Sequence, residues 1–503
     1  MNLADSLLKQ YEIDSEGINF DVKIVYRKGE FVKSYLLDIP EYGEGTKALL
    51  DQLKQEIIMD TSIKADKFLD PKFIDYLKDQ FRQRADAIIK KELVTIDDYT
   101  KNSLIGILLN EMLGLGKIEI LLADGNLEEI VVNNAEEPVW VYHKEHGWLR
   151  TNVMMDNEEQ VQNYANIIAR RGGKQITILN PLLDTHLVTG DRANATLFPI
   201  SGKGNTITIR RFRRDPWTVT DMIRNSTTNS EVMALVWMCI QYELNMILSG
   251  GTASGKTSFM NVCLPFMQPN HRIITIEDTR ELLLPEFLHW VPMTTREPNA
   301  EGKGGVTMLD LLVNSLRQRP DRIIVGETRR RAEAEVMFEA MHTGHSVYTT
   351  FHANTAEETI RRFTNPPIDI PPTVLDTVHL NVVMFRNRRL GVRRVLEVAE
   401  FIPEKRGNEE TLKANTLYRW RAGGDVIAKD AESIRLFDEL SMHTGLTYSE
   451  IEEDLKDKKQ ALDWLVKKDI HNVQEVGTVM AKYYLGKDEL MKIVRKDGKF
   501  GDL

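Results

Sequence analysis

The sequence predicts an α/β protein in which a largely parallel sheet, covered on both faces, follows an α+β domain. Three observations carry this. From residue 231 to about Phe401, apolar runs of strand length alternate with amphipathic helical stretches. One run, over 244–248, leads into Gly250-Gly251-Thr252-Ala253-Ser254-Gly255-Lys256-Thr257, which fits G-x-x-x-x-G-K-[ST]. The chain has 503 residues, too many for one hydrophobic core, so two or more domains are expected.

Residues 1–94 form a mixed, partly helical region: 30–39 reads as a strand stopped by Pro40, and 45–59 as an amphipathic helix. Residues 95–214 read as α+β. A helix is expected over 97–113, short strands over 129–133 and 139–143, and further strands over 193–199 and 206–212. Between them, Val161, Tyr164, Ala165 and Ile168 fall at i, i+3, i+4 and i+7 of a helix over 158–171. Residues 215–230 are polar, with a proline and asparagines, and read as a linker. A helix over 231–242 opens the next domain, which runs to 403. The remainder, 404–503, reads as helical, with Ile451, Leu455, Leu462 and Val466 on one face.

Composition narrows the function classes. A formal charge of -10 argues against sequence-independent nucleic-acid binding as the main activity, although it does not bear on a local basic patch. The two cysteines, Cys239 and Cys263, suit a reducing compartment and exclude a four-cysteine zinc module. The N-terminal Met1-Asn2-Leu3-Ala4-Asp5 lacks the basic start of a signal peptide, and no apolar run is long enough to cross a bilayer. A cytoplasmic protein is expected, with any membrane association peripheral.

The glycine-rich segment is read as a phosphate cradle because it stands between a strand and a helix. Its amides at the helix start point at a polyphosphate, Lys256 bridges the outer phosphates, and the Thr257 hydroxyl holds Mg²⁺; Ser258 completes the set. A glycine turn that merely caps a helix is the alternative. An acid belongs at the end of a neighbouring strand, and Arg322-Ile323-Ile324-Val325-Gly326-Glu327, preceded by a helix over 307–317, places Glu327 at a carboxyl edge. Gly326 stands where many ATPases have aspartate, so Mg²⁺ is assigned to Thr257, phosphates and water, and Glu327 to water activation. A second β-branched run, from Arg272, ends in Glu277-Asp278-Thr279-Arg280-Glu281. Glu277 can orient the attacking water or a Mg²⁺-bound water, whereas Asp278 and Glu281 equally suit a solvated turn. His345 and His352 flank a strand over 346–350. Zinc would need ligands that are not in view, which leaves hydrogen-bonding sensors near the phosphates or buried structural histidines.

These four blocks, in this order and spacing, resemble the type II/type IV secretion ATPase superfamily: its Walker A, Asp box, Walker B of the Gly-Glu type, and His box. The run from Thr295-Arg296-Glu297-Pro298 to Arg319-Pro320-Asp321-Arg322 looks like the branch of tight-adherence pilus and archaeal filament ATPases. Residues 35–53, Leu417-Tyr418-Arg419-Trp420, Asp463-Trp464 and Tyr483-Tyr484 are similar to archaeal members, including those of the archaellum. Two features depart from the pattern: no tetracysteine zinc insertion is present, and Arg330 stands where a small residue is common.

The resemblance implies a RecA-like P-loop NTPase domain, a preceding α+β (PAS-like) domain, and helical N- and C-terminal additions. It implies a homo-hexamer with ATP held between the two domains. Arg192, Arg210 and Arg211 then face the phosphates and join Glu327, Glu277, His345 and His352 as the catalytic set, while Arg213 and Arg214 read as a solvated basic edge. Thr257, Glu327 and Glu277 are the implied surroundings of Mg²⁺. ATP hydrolysis would power type IV pilus-like filament assembly or secretion through a polytopic membrane platform protein at the inner face of the cell membrane, acting on filament subunits indirectly. One rival is a nucleic-acid translocating motor of the conjugation type. For it Arg386, Arg388, Arg389, Arg393 and Arg394 are the strong basic cluster, although their placement around Gly391 suits a solvated strand face or a protein-docking edge. A small-molecule phosphotransferase would need an acceptor pocket and a lid.

Overall fold

The computed structural model describes residues 6–39, 43, 45–46, 50, 54–55, 71–92, 97–187, 190–211, 216–296, 298, 302–387, 389–406 and 409–502. The chain divides into two compact units, Met1–Arg213 and Arg214–Leu503.

The first unit begins with strands, which the sequence reading did not foresee. β1 (Ser6–Ser15) and β2 (Ile18–Tyr26) pair antiparallel across Glu16-Gly17, both at positive φ, as a two-residue hairpin turn requires. Ile18, Phe20, Val22 and Ile24 alternate inward along β2. That period-2 signal, apolar residues alternating with Asn19, Asp21 and Lys23, lies in the sequence. β3 (Ser34–Leu37) is shorter than the run expected over 30–39. The helix expected over 45–59 falls mostly outside the described residues.

The chain continues through α1 (Pro71–Glu92), α2 (Asp98–Met112), α3 (Lys117–Ala123), β4 (Leu127–Val132), β5 (Trp140–His143) and β6 (Gly147–Thr151). It then forms α4 (Glu158–Arg171), β7 (Leu182–His186), β8 (Arg192–Thr196) and β9 (Thr206–Arg210). One sheet joins all nine strands in the order β1-β2-β3-β6-β5-β4-β9-β8-β7. The N-terminal hairpin is therefore an extension of the α+β sheet, not a separate helical addition. The buried carboxylate of Asp124 helps fasten it, accepting hydrogen bonds from Tyr11 (2.6 Å) and Tyr35 (2.8 Å).

The second unit opens with α5 (Val219–Arg224) and α6 (Ser230–Gln241), followed by β10 (Met246–Gly250), α7 (Lys256–Cys263), β11 (Arg272–Glu277) and β12 (His289–Thr294). After them come α8 (Met308–Ser315), β13 (Arg322–Val325), α9 (Arg331–His342), β14 (Ser346–Phe351), α10 (Ala356–Thr364), α11 (Pro372–Leu375) and β15 (Leu380–Asn387). Three antiparallel strands complete the sheet: β16 (Val392–Arg406), β17 (Glu409–Arg421) and β18 (Val426–Lys429). The unit ends in α12 (Leu436–Thr444), α13 (Tyr448–Lys467) and α14 (Val473–Arg495).

The strand order is β12-β11-β13-β14-β10-β15-β16-β17-β18, and the first six are parallel. Every residue of β10, β13 and β14 is buried, as expected for strands covered on both faces. Met246 and Leu248 pack into the layer containing α6, α13 and α14, and Ile247 into the layer of α8, α9 and α10.

Two boundaries differ from the sequence reading. The stretch expected as a linker over 215–230 contains α5, whose Val219 and Met222 are buried in the core. A Thr218/Asp221 capping box starts this helix, and Thr220 Oγ1 donates to the Ile470 carbonyl at 2.5 Å. Its three apolar residues, at i, i+3 and i+4, make too short a pattern to stand out among polar neighbours. The boundary expected at 403 cuts through β16, and residues 409–421 are strand, not helix. Most of β17 is only half-buried, so it lacks the apolar run that marks the central strands.

Candidate functional site

β10 lies between β14 and β15, parallel to both, and the glycine-rich loop leaves its carboxyl end. The loop needs its glycines. Gly250 has φ +154°, and a Cβ there would come within 2.5 Å of the Met384 carbonyl oxygen. Gly255, at φ +98°, caps α7, and Ala253 takes the left-handed conformation as well. Lys256, Thr257 and Ser258 form the first turn of α7, where backbone N–H groups have no partner within the helix and the dipole favours an anion.

Lys256 is almost fully buried. Its Nζ donates to the carbonyls of Gly250 (2.9 Å) and Gly251 (3.0 Å) and lies 3.3 Å from His352 Nδ1. Burial lowers its pKa from the ordinary lysine value, while attraction to Glu327 opposes the shift. The Ser254 hydroxyl is buried in the same loop without a hydrogen-bond partner.

The neighbouring strands bring the predicted acids to the same edge. Glu277 closes β11 and is 3% exposed. Its Oε1 accepts the N–H groups of Glu281 (2.8 Å) and Leu282 (3.1 Å), and its Oε2 has no partner. Burial pushes its pKa up to about 7. One strand over, β13 runs into Gly326-Glu327. A Cβ on Gly326 would sit 3.4 Å from Glu277 Cα and from the Ile276 carbonyl, so the two strand tips touch at this glycine.

Glu327 is bound at both oxygens, with Oε1 2.9 Å from His352 Nε2 and Oε2 2.6 Å from Arg329 Nη2. His352 follows the end of β14 and bridges the machinery. Its Nδ1 accepts from Lys256 and its Nε2 donates to Glu327, which assigns the neutral tautomer. Burial and then the Lys256 charge lower its pKa, consistent with that assignment. Beside Glu327, Arg329, His352, Arg361 and Arg362 lies a cavity of about 340 Å³. The donor set fits Mg²⁺: the half-buried Thr257 hydroxyl and the unpartnered Glu277 oxygen are hard oxygen ligands, directly or through water.

Other predicted residues lie elsewhere. His345 precedes β14 and so stands at the opposite end of the strand from His352, next to Thr343 and the Ala340 carbonyl. A strand rises roughly 3.3 Å per residue, so the seven positions between the two rings put them on opposite edges of the sheet. His345 is not part of the phosphate-loop cluster.

Arg192, Arg210 and Arg211 belong to the first unit. Arg192 on β8 and Arg210 on β9 are directly opposite, exposed on one face, and Arg192 also pairs with Asp184. Arg211 is the next residue along and so points to the other face. Its guanidinium donates to the backbone carbonyls of Asp124 and Leu127, which ties it into its own unit.

The basic cluster around Gly391 is not a uniform solvated edge. Arg394 is buried and gripped by both oxygens of Asp425 at 2.7 Å, and Arg393 Nε donates to the Ala253 carbonyl of the phosphate loop at 3.2 Å. Arg388 lies outside the described residues. Sequence reasoning missed Arg329 in this neighbourhood, and named Arg393 only within the basic cluster and not as a contact of the loop. The only local signal for Arg329 is its position two residues after Glu327. Arg393 has none, because it reaches the loop from two strands away in the sheet.

Residues 186–385 match the family described as Type II/IV secretion system protein. An uncharacterized protein of Methanocaldococcus jannaschii is 33% identical over 399 residues, covering 78% of this chain and 71% of that protein. A second uncharacterized protein of the same organism is 41% identical over 241 residues, covering 46% of this chain and 32% of its own length. Among solved structures, the ATPase DotB of Legionella pneumophila is similar at 18% identity and a TM-score of 0.42, over 74% of this chain and 92% of DotB.

Proposed function

The chain belongs to the type II/IV secretion system ATPase superfamily and is an ATP hydrolase, and from that premise we propose that the edge formed by β10, β11, β13 and β14 is its hydrolytic site. One observation carries the reading: Lys256, His352, Glu327 and Arg329 form an unbroken chain of contacts from the glycine loop to the acid.

The loop amides and Lys256 hold the β- and γ-phosphates of ATP, trading the Gly250 and Gly251 carbonyls for phosphate oxygens. Thr257 and Glu277 would hold Mg²⁺, directly or through water, and the ion would supply positive charge against the phosphate oxygens. Glu327 orients a water in line with the γ-phosphorus and accepts its proton as the bond to the bridging oxygen breaks. His352 links Glu327 to Lys256, so the acid and the phosphate-binding lysine move as one group.

At the level of the cell, the reading is a homo-hexameric motor, peripheral at the inner face of the membrane, that drives pilus-like filament assembly or secretion through a polytopic platform protein. No helix among the described residues is long and apolar enough to cross a membrane, which fits a peripheral part.

Steady-state phosphate release tests the chemistry. Lys256→Ala and Glu327→Gln should each lower turnover by about a hundredfold or more. Turnover at the wild-type rate in either variant removes that residue from its assigned role. For the motor, a co-reconstituted platform protein should raise the rate and added DNA should leave it unchanged. Stimulation by DNA would favour the translocating rival.

A further inference from the structure

A carboxylate that activates water must present one oxygen in a fixed direction, and misplacement by an ångström is costly. Glu327 follows a strand tip on a short side chain, and two contacts fix its plane. One is His352 at Oε1 and the other Arg329 at Oε2. The same guanidinium spans to the neighbouring strand, with Nη1 2.8 Å from Asp278 Oδ2. Asp278 is itself steadied by Thr295 Oγ1 at 3.1 Å. The backbone from which Arg329 springs is fixed as well: Glu333 Oε2 accepts the N–H groups of both Arg329 and Arg330 at 3.1 Å, forming the start of α9.

We propose that Arg329 is a positioning residue for ATP hydrolysis, a planar fork between Asp278 and Glu327 that holds the Glu327 carboxylate toward the attacking water. Its planar spacing suits two carboxylates at once, which the single ammonium of a lysine cannot reproduce. Arg329 does through side chains what Gly326 does through backbone contact: it fastens the tip of β13 to the tip of β11. At 59% exposure its side chain is not a core element, so its removal should leave the fold intact. The hydrogen bond to Glu327 raises its pKa, which keeps the fork charged throughout the working pH range.

The inference rests on Glu327 activating water, and the test separates the two. In the full-length chain with MgATP, Arg329→Ala should lower kcat by about tenfold or more and leave KM for ATP within about twofold, the pattern for an interaction that matters only in the transition state. In the Glu327→Gln background the same substitution should change nothing further, because Arg329 acts through that carboxylate. Wild-type kcat in Arg329→Ala, with Glu327→Gln slow, overturns the inference alone. A rise in KM at constant kcat, or a further loss in the Glu327→Gln background, overturns it too, because either means direct contact with the phosphates. Wild-type turnover in Glu327→Gln instead removes the underlying reading.

Discussion

Glu277 is a carboxylate whose folded environment favours the proton. Its burial sets a pKa of about 7 against an ordinary 4.5, so between those values the folded chain holds a proton that the unfolded chain has lost. The stability this group contributes is complete below about pH 4.5 and disappears as pH rises through about 7, a difference of roughly 3 kcal/mol. Glu277→Gln keeps an acceptor for Glu281 and Leu282 but cannot ionise. In EDTA, thermal melts should show the variant gaining on wild type at pH 8 relative to pH 4; an equal difference at both would contradict the assignment. The cradle and Glu327 were legible because each fits a local pattern at a strand end. His345 and His352 looked equivalent in the sequence, and only the direction of β14 separates them. Arg210 and Arg211 likewise looked equivalent, and the strand's alternation puts them on different faces.

At the scale of elements, the C-terminal helices are built into the layer beneath the phosphate loop. Lys458 on α13 is fully buried against the rings of Trp237 on α6 (5.3 Å) and Tyr483 on α14 (4.6 Å), and it pairs with Asp454. Burial pulls the Lys458 pKa down to about 8, and Asp454 opposes that shift. Asp454 Oδ1 also accepts from Tyr483 (2.6 Å) and Lys487 (2.7 Å), so one carboxylate joins α13 to α14. Asp454→Ala strands a buried ammonium and should cost about 3–5 kcal/mol in urea unfolding; a loss under about 1 kcal/mol would show that the network is dispensable. Element legibility followed burial. β10, β13 and β14 are apolar runs because both faces are covered. β1 and β17 carry much exposed or half-buried surface, and their patterns were diluted by charge. α5 hid within a polar stretch because one turn of helix shows too few apolar positions.

For the whole molecule, each unit has its own core, from Ile13 to Ile209 in the first and from Val219 onward in the second. A fragment of residues 214–503 should therefore fold alone and bind ATP, because Lys256, Glu277, Glu327 and His352 all lie within it. Circular dichroism and equilibrium dialysis with labelled ATP check the two halves; a fragment that folds but does not retain ATP would contradict a site built within this unit alone.

The central claim is that the residue 250–257 loop binds ATP and Glu327 acts on what it binds. Equilibrium dialysis with labelled ATP, comparing wild type, Lys256→Ala and Glu327→Gln, separates those roles most directly. Retention by Glu327→Gln close to wild type, with a loss of at least about tenfold in Lys256→Ala, is the predicted result. Undiminished retention by Lys256→Ala would place the nucleotide elsewhere and contradict the account.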